Sequence, residues 1–418
     1  MKFALALSCA VIAEGAAQAQ AQKTGLDLSG NVLLYGESRR LSRRGLLAEA
    51  HSLDPNVALP ASSTSRIDAT FKATLDSFNA SVTLRGALSG PHDSADRVVL
   101  DELGYSSHWE SALLTVGKKV VSWDVGYAFR PNDLVQQEAR RPLVQRTLEG
   151  RPLLMLEGFG DDSAWSVVGF DKQSRPEDAA PLSPSENAIA AKVYKRMASA
   201  DLYAFGGMGS LTGATAGAAF SWVLTDSLEL HASYRRTGRY KVRSLIGPVH
   251  DLLRFSPYDV VRMGSTDQVL AGMTWTGENK ISVIAEAWYD GTAPSDASWN
   301  LWSRRNDVLR RLGRRLGPSF GAAVAGNLGW QAEQLSLTSL RRSNLFLRAS
   351  WTRERWEPTL DFLYTPSDRG LVVTAGLGWK SDRVRLDAGA RFFTGAKDSL
   401  YSQVPYQSVV YVGLTTFF

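Results

Sequence analysis

The chain has 418 residues and a formal net charge of +5, an excess too slight over this length to point to nucleic acid. Its composition is 44% hydrophobic, yet no run of eighteen apolar residues occurs after residue 22, which excludes a helical membrane protein. The single cysteine, Cys9, lies near the start, so the rest of the chain has no disulfide, thiol catalysis or Cys-ligated metal.

The first residues read as an export signal. Lys2 supplies a short positive region, residues 3–12 a short apolar one, and small residues follow. Ala17-Gln18-Ala19 and Ala19-Gln20-Ala21 both fit an A-x-A cleavage site, so residues 1–21 are expected to be removed and the mature chain to begin near Gln20 or Gln22. The apolar run is too short to span a bilayer as a helix. Cys9 lacks the leucine three positions ahead that a lipoprotein site carries, so no lipid anchor is read.

Beyond the signal the chain is built of segments with a period of two. Leu228, Leu230, Ala232 and Tyr234 alternate with Glu229, His231, Ser233 and Arg235. Val384, Leu386, Ala388, Ala390 and Phe392 alternate in the same way with Arg383, Arg385, Asp387, Gly389 and Arg391. Alternation at 180° per residue marks a strand, because a helix would mix the two sets on every face. Eighteen such segments begin near residues 26, 64, 79, 96, 111, 152, 163, 187, 199, 213, 227, 267, 279, 342, 355, 369, 383 and 407; sixteen remain if those near 96 and 152 are not strands.

The connections fall into two sets. Tight turns are expected at 76–79, 106–109, 160–163, 197–200, 224–227, 276–279, 352–355 and 380–383. The intervening connections are mostly longer, at 37–62, 89–95, 122–151, 171–186, 237–266, 290–341 and 394–406. Tight turns alternating with long loops, 12 Trp, 13 Tyr and 36 Gly predict an all-β fold, a transmembrane up-and-down antiparallel β-barrel over residues 22–418. Its long extracellular loops would lie near 37–62, 122–151, 237–266 and 290–341.

This pattern resembles the large eighteen-stranded class of bacterial outer-membrane channels, which includes substrate-specific porins and the alginate-export channel. The resemblance is architectural and spans the mature chain; it carries no binding residues over. It implies a Gram-negative outer membrane, with lipid and lipopolysaccharide as surroundings. Phe418 closes an alternating strand with Val410, Val412, Leu414 and Thr416 on its face, similar to the signal read by the barrel-assembly machinery, although Thr416 stands where an aromatic is usual.

If the apolar faces meet lipid, the charged faces line a lumen, since a Lys or Arg at the bilayer midplane costs roughly 2–4 kcal/mol. The inward set then holds Arg66, Asp68, Lys72, Arg85, Lys192, Glu229, Arg235, Glu286, Arg348, Glu357, Asp361, Arg383, Arg385, Asp387 and Arg391. Acids and bases on neighbouring strands can pair along the wall. Arg383, Arg385 and Arg391 form a basic ladder that would favour anionic or polyhydroxyl solutes. In the third long loop the alternation breaks at 121–135 and a basic stretch follows. Arg130, Asp133, Arg140, Arg141 and Arg146 are candidates for a constriction, or for solvated charges on the barrel rim. Residues 298–316 read as a basic amphipathic helix. Leu301, Val308, Leu309, Leu312 and Leu316 would lie opposite Arg304, Arg310, Arg311 and Arg314, facing lipopolysaccharide phosphates or capping the mouth.

These features favour a channel for passive or facilitated passage of small polar or anionic solutes, with no cofactor and no metal. Export of an anionic polysaccharide is the nearest alternative. An outer-membrane hydrolase needs a nucleophile with a base in reach. Of His51, His92, His108, His231 and His250, only His231 sits on a clean strand, beside Ser233 on one face. A receptor barrel that binds through its loops is a third reading; with no plug of a hundred residues ahead of the first strand, a TonB-dependent receptor is not expected.

Overall fold

A computed structural model describes residues 25–43, 45–89, 96–136, 142–171, 186–316, 318–337 and 339–418. The expected signal segment lies outside the described residues. Strands β1 (Leu26–Leu41), β2 (Ser63–Leu75), β3 (Phe78–Ser89), β4 (Arg97–Trp109), β5 (Ala112–Lys119) and β6 (Arg151–Phe159) form the first third. Then come β7 (Ser163–Asp171), β8 (Asn187–Met197), β9 (Ala200–Gly209), β10 (Gly213–Thr225) and β11 (Leu228–Thr237). A small hairpin, β12 (Tyr240–Leu245) and β13 (Tyr258–Met263), stands apart in a sheet of its own. The series resumes with β14 (Thr266–Thr276), β15 (Ile281–Asp290), β16 (Ser343–Trp351), β17 (Trp356–Thr365), β18 (Gly370–Lys380), β19 (Val384–Gly395) and β20 (Tyr406–Phe417).

Apart from the hairpin, each strand pairs antiparallel with its neighbours in the chain, and β20 returns to β1, so eighteen strands close into one barrel. The closing seam runs from Asn31 opposite Phe417 to Leu41 opposite Tyr406. Closure leaves no unpaired edge. The weakest sequence segments, near 96 and 152, are both strands, and the sixteen-strand alternative falls. One turn moves: residues 106–109 continue β4, and the chain reverses at Glu110, which takes a left-handed φ of 56°. Asp76, Ala198, Lys280 and Glu354 hold the same conformation in other tight turns, the backbone twist a short hairpin needs.

Three long connections carry regular structure of their own. The first begins after Leu41 rather than at residue 37 and carries helix α1 (Leu46–Leu53). The 238–265 connection contains the β12–β13 hairpin. The longest, between β15 and β16, holds α2 (Asp296–Leu316) and α3 (Gly321–Glu333), and Gly313 does not interrupt α2. The connections at 210–212 and 366–369 are short.

Outward faces carry Val98, Leu154, Val193, Leu347, Leu360, Leu386, Val410 and Val412, all well exposed. An apolar band of this extent on a barrel is the surface that hydrocarbon covers. The inward faces change character along the barrel axis. Toward the long-loop end, Phe346, Leu363, Val372 and Phe393 stand side by side across β16–β19. One inward step toward the tight-turn end, the same strands present Arg348, Asp361, Thr374 and Arg391 in register.

The apolar row is covered from the long-loop side. Leu270, Trp288, Phe346, Leu363 and Val372 form one buried cluster with Leu46 and Ala50 of α1, Trp299, Trp302 and Leu309 of α2, and Val324, Ala325 and Leu328 of α3. The expected apolar face of α2 is therefore corrected: Leu301 and Leu316 are exposed, at 40% and 38%, while Arg305 is fully buried. Its Nη1 donates to the carbonyls of Pro248, Val249 and Asp251 and its Nη2 to Asn327 Oδ1. The helix buries the side carrying two tryptophans, the larger apolar surface, and it caps the mouth.

Candidate functional site

The lumen is shaped by residues 120–136 and 142–150 of the third long connection. Between β5 and β6 the chain turns inward and crosses the barrel. Trp123, Leu134 and Val135 pack on inward-facing Leu153, Met155, Val168, Phe170, Ala190, Phe205 and Ala219 of β6–β10. An apolar inner wall in that sector explains why the loop lies there: it buries surface that would otherwise face water.

Polar anchors fix its course. Glu286 on β15 accepts hydrogen bonds from the Tyr127 and Ala128 amides at 2.5 and 2.7 Å. Asn132 Nδ2 donates to Ser233 Oγ at 2.8 Å and to the Tyr234 carbonyl at 3.1 Å. Ser233 Oγ donates in turn to Asp124 at 2.9 Å, and Arg235 reaches the Pro131 carbonyl at 2.8 Å. Burial pushes the Asp124 carboxyl above its ordinary value, against hydrogen bonds from the Asn132 amide, the Ser233 hydroxyl and the Val125 amide. Gly217 makes the Asn132 contact possible, because a Cβ there would stand 2.0 Å from Asn132 Oδ1. The returning limb lies on the opposite wall: Val144 packs with Leu33, Tyr35 and Tyr411, Arg146 meets Asp68 at 2.8 Å, and Thr147 Oγ1 meets Thr70 Oγ1 at 3.0 Å.

What remains open is a cavity of about 890 Å³ between the loop and the walls of β1–β4 and β16–β20. Its cations are Lys72, Arg130, Arg146, Arg348, Arg385 and Arg391; its carboxylates are Asp68, Glu102, Glu357, Asp361 and Asp387. Most of these charges are engaged along the wall. Arg348 Nη1 donates to both oxygens of Asp361 at 3.0 Å. Arg385 meets Asp387 at 2.9 Å and Glu357 at 3.2 Å, and Arg391 Nε donates to Thr374 Oγ1 at 2.9 Å. Arg130 bonds Ser122 Oγ at 2.7 Å and the Gly126 carbonyl.

The other predicted residues lie elsewhere. Arg66 stacks over the Tyr35 ring at 4.7 Å, and Lys192 sits over the Trp123 ring at 5.6 Å, under the loop. Arg85 and Arg235 are each 7% exposed, bound to the third loop through the Thr147 and Pro131 carbonyls. Arg383 is exposed in the tight turn before β19. The basic ladder is therefore corrected: of its three arginines, Arg383 is in the turn and Arg385 is held between two carboxylates. Asp133 is buried inside the loop, accepting from Ser122 Oγ and from the Trp123 and Asp124 amides. Arg140 and Arg141 lie outside the described residues.

Sequence reading missed Asp124, Tyr127, Asn132, Gly217 and Val144. None carries a periodic signal, since each acts through one long-range contact. The Ser233–His231 neighbourhood also resolves. Ser233 Oγ serves Asp124 and Asn132, and His231 Nε2 lies 3.1 Å from Glu286 Oε1, so both are committed to the loop and its anchor.

No protein family matches the sequence, and no curated protein does either. Among solved structures, OccAB3 of Acinetobacter baumannii superposes over 94% of this chain and 99% of its own, with a TM-score of 0.52 and 9% identity. OccK11 of Pseudomonas aeruginosa superposes over 96% and 98%, with a TM-score of 0.52 and 10% identity. The likeness is one of fold, along nearly the whole of each chain. At such identities the likeness concerns the eighteen-stranded barrel and carries over no residue of the cavity.

Proposed function

We propose that the chain is an outer-membrane channel of a Gram-negative bacterium, passing small polar or anionic solutes without covalent chemistry. The observation that carries this reading is the charge-lined cavity of about 890 Å³, narrowed by a loop anchored to both walls. Cations and carboxylates of β16, β17 and β19 stand side by side on its wall, a lining that suits a hydrated, polar solute and disfavours an apolar one. The apolar outer band supports the membrane setting, with lipid and lipopolysaccharide around it.

The test is single-channel recording with the purified protein in planar bilayers. Discrete ion-conducting steps are expected, small because α2 and α3 cover the mouth. Absence of any step, with lipid or peptide cleavage in the same preparation, would overturn the reading in favour of a hydrolase.

A further inference from the structure

The tight-turn end of the barrel is unevenly charged. The turns between β2 and β3, β4 and β5, β6 and β7, and β10 and β11 carry Asp76, Glu110, Asp161 with Asp162, and Asp226, and no Lys or Arg. The turns between β14 and β15 and between β16 and β17 carry Lys280, Arg353 and Arg355, all exposed. These two turns and the next adjoin. The Thr352 amide donates to the Lys280 carbonyl at 3.1 Å, and the Lys380 amide to the Arg355 carbonyl at 2.9 Å. Glu278 and Glu354 share the turns, yet among the described residues no carboxylate forms an ion pair with Lys280, Arg353 or Arg355.

Beside these cations stand outward-facing indoles. Trp351 closes β16, and Trp356 opens β17 opposite Trp379 of β18. Trp351 Nε1 donates to the Asn279 carbonyl at 3.0 Å, and the Arg353 guanidinium lies over the Trp351 ring at 5.2 Å. That contact holds a cation at the level of the indoles. Leu360, Leu377 and Leu386 continue the same outward faces toward the middle of the barrel, each exposed. Indoles on a membrane barrel mark the boundary between headgroups and hydrocarbon. The three cations therefore stand at headgroup level, with an apolar wall next to them.

Tight turns of such a barrel face the periplasm. Lipopolysaccharide occupies the opposite leaflet, so the lipids that meet these turns are glycerophospholipids, zwitterionic or anionic. Cations without carboxylate partners select the anionic kind. We infer that Lys280, Arg353 and Arg355, with Trp351, Trp356 and Trp379, form a binding site for an anionic glycerophospholipid of the inner leaflet. Its phosphate lies among the cations and its acyl chains along the leucines. The inference rests on the membrane setting proposed above and not on conduction. Binding is measured without transport, so its failure leaves the conductance test untouched.

The experiment is native mass spectrometry of the full-length protein in a neutral detergent, mixed with equimolar phosphatidylglycerol and phosphatidylethanolamine of identical acyl chains. Wild type is expected to prefer phosphatidylglycerol by about tenfold. The triple variant Lys280→Gln, Arg353→Gln, Arg355→Gln should lose that factor and bind the two lipids alike. Arg353→Lys with Arg355→Lys, which keeps the charge, should retain most of the preference. Lys195→Gln with Arg196→Gln, near the β8–β9 turn, should leave it unchanged. Circular dichroism melting of each variant controls for folding. The inference fails if wild type binds both lipids equally, if the glutamine triple keeps the preference, or if the control pair loses as much. It fails equally if lipopolysaccharide or soluble glycerophosphoglycerol displaces the bound phosphatidylglycerol.

Discussion

His231 Nε2 on β11 stands 3.1 Å from Oε1 of Glu286 on β15, across the intervening strand β14. The approach exists because residue 272 between them is glycine; a Cβ there would lie 2.3 Å from His231 Nε2. Glu286 spends its other capacity on the Tyr127 and Ala128 amides, so one carboxylate ties three elements together.

Removing that carboxylate strands the part-buried Tyr127 amide and the buried Ala128 amide, the latter costing about 1–3 kcal/mol when left unpaired. Glu286→Ala should therefore release the 126–130 segment from β15 by roughly 1–3 kcal/mol. Expected consequences are faster chymotryptic cleavage after Tyr127 or Phe129 and a larger, noisier single-channel conductance. Gly272→Ala should act in the same direction without touching a charge. Unchanged cleavage in both variants would show that the apolar contacts of Trp123, Leu134 and Val135 suffice to hold the loop.

The Arg348–Asp361 pair gives a prediction about ion selectivity. Both line the cavity, and each neutralises the other. Asp361→Asn leaves a cation exposed and should move the reversal potential in a salt gradient toward anions; Arg348→Gln should move it toward cations by a comparable amount. Arg383→Gln, in the tight turn, should move it least.

How much of this was legible in the sequence depends on the kind of signal. Strand starts were readable to within two residues because period-two alternation repeats over ten residues, as with Leu228–Tyr234 against Glu229–Arg235. The charged residues of β16–β19 were readable for the same reason. The course of the third loop was not, because it rests on single long-range contacts such as Asn132 with Ser233. The buried side of α2 was misjudged because leucine periodicity gave no weight to Trp299 and Trp302, or to the carbonyl bed that accepts Arg305.

Asp368 predicts an acid response of the outer loops. It accepts from the Leu400 amide at 2.9 Å, Thr365 Oγ1 at 2.6 Å, Arg341 Nε at 3.1 Å and the Gly370 amide at 3.1 Å. Burial opposes its ionisation, but these donors outweigh it and hold the carboxyl below its ordinary value of 3.8. A depressed folded value means that the stabilisation is complete above the ordinary value and is lost as pH falls through the lower one. The 339–342 and 396–405 segments should loosen in that acid window, seen as hydrogen exchange at Leu400 and Gly370. Asp368→Asn should remove the acid dependence and cost about 1–3 kcal/mol of their docking at neutral pH.

Trp302 is the test of the cap. It is 3% exposed and packs at 5.4 Å, edge to face, on Trp299. Trp302→Ala should destabilise α2 and α3 by about 3–5 kcal/mol. Conductance should rise while the barrel's own melting transition stays in place. A lower barrel transition with unchanged conductance would mean that the helices brace the wall rather than cover the opening.

Along β16–β18, Phe346, Leu363 and Val372 belong to the cap, while Arg348, Asp361 and Thr374, two residues further along each strand, belong to the passage. One strand thus supplies two chemistries through successive inward side chains, and neither row intrudes on the other. The mouth is therefore exchangeable: different loops grafted onto the same apolar row would alter what is admitted from outside and leave the charged waist intact.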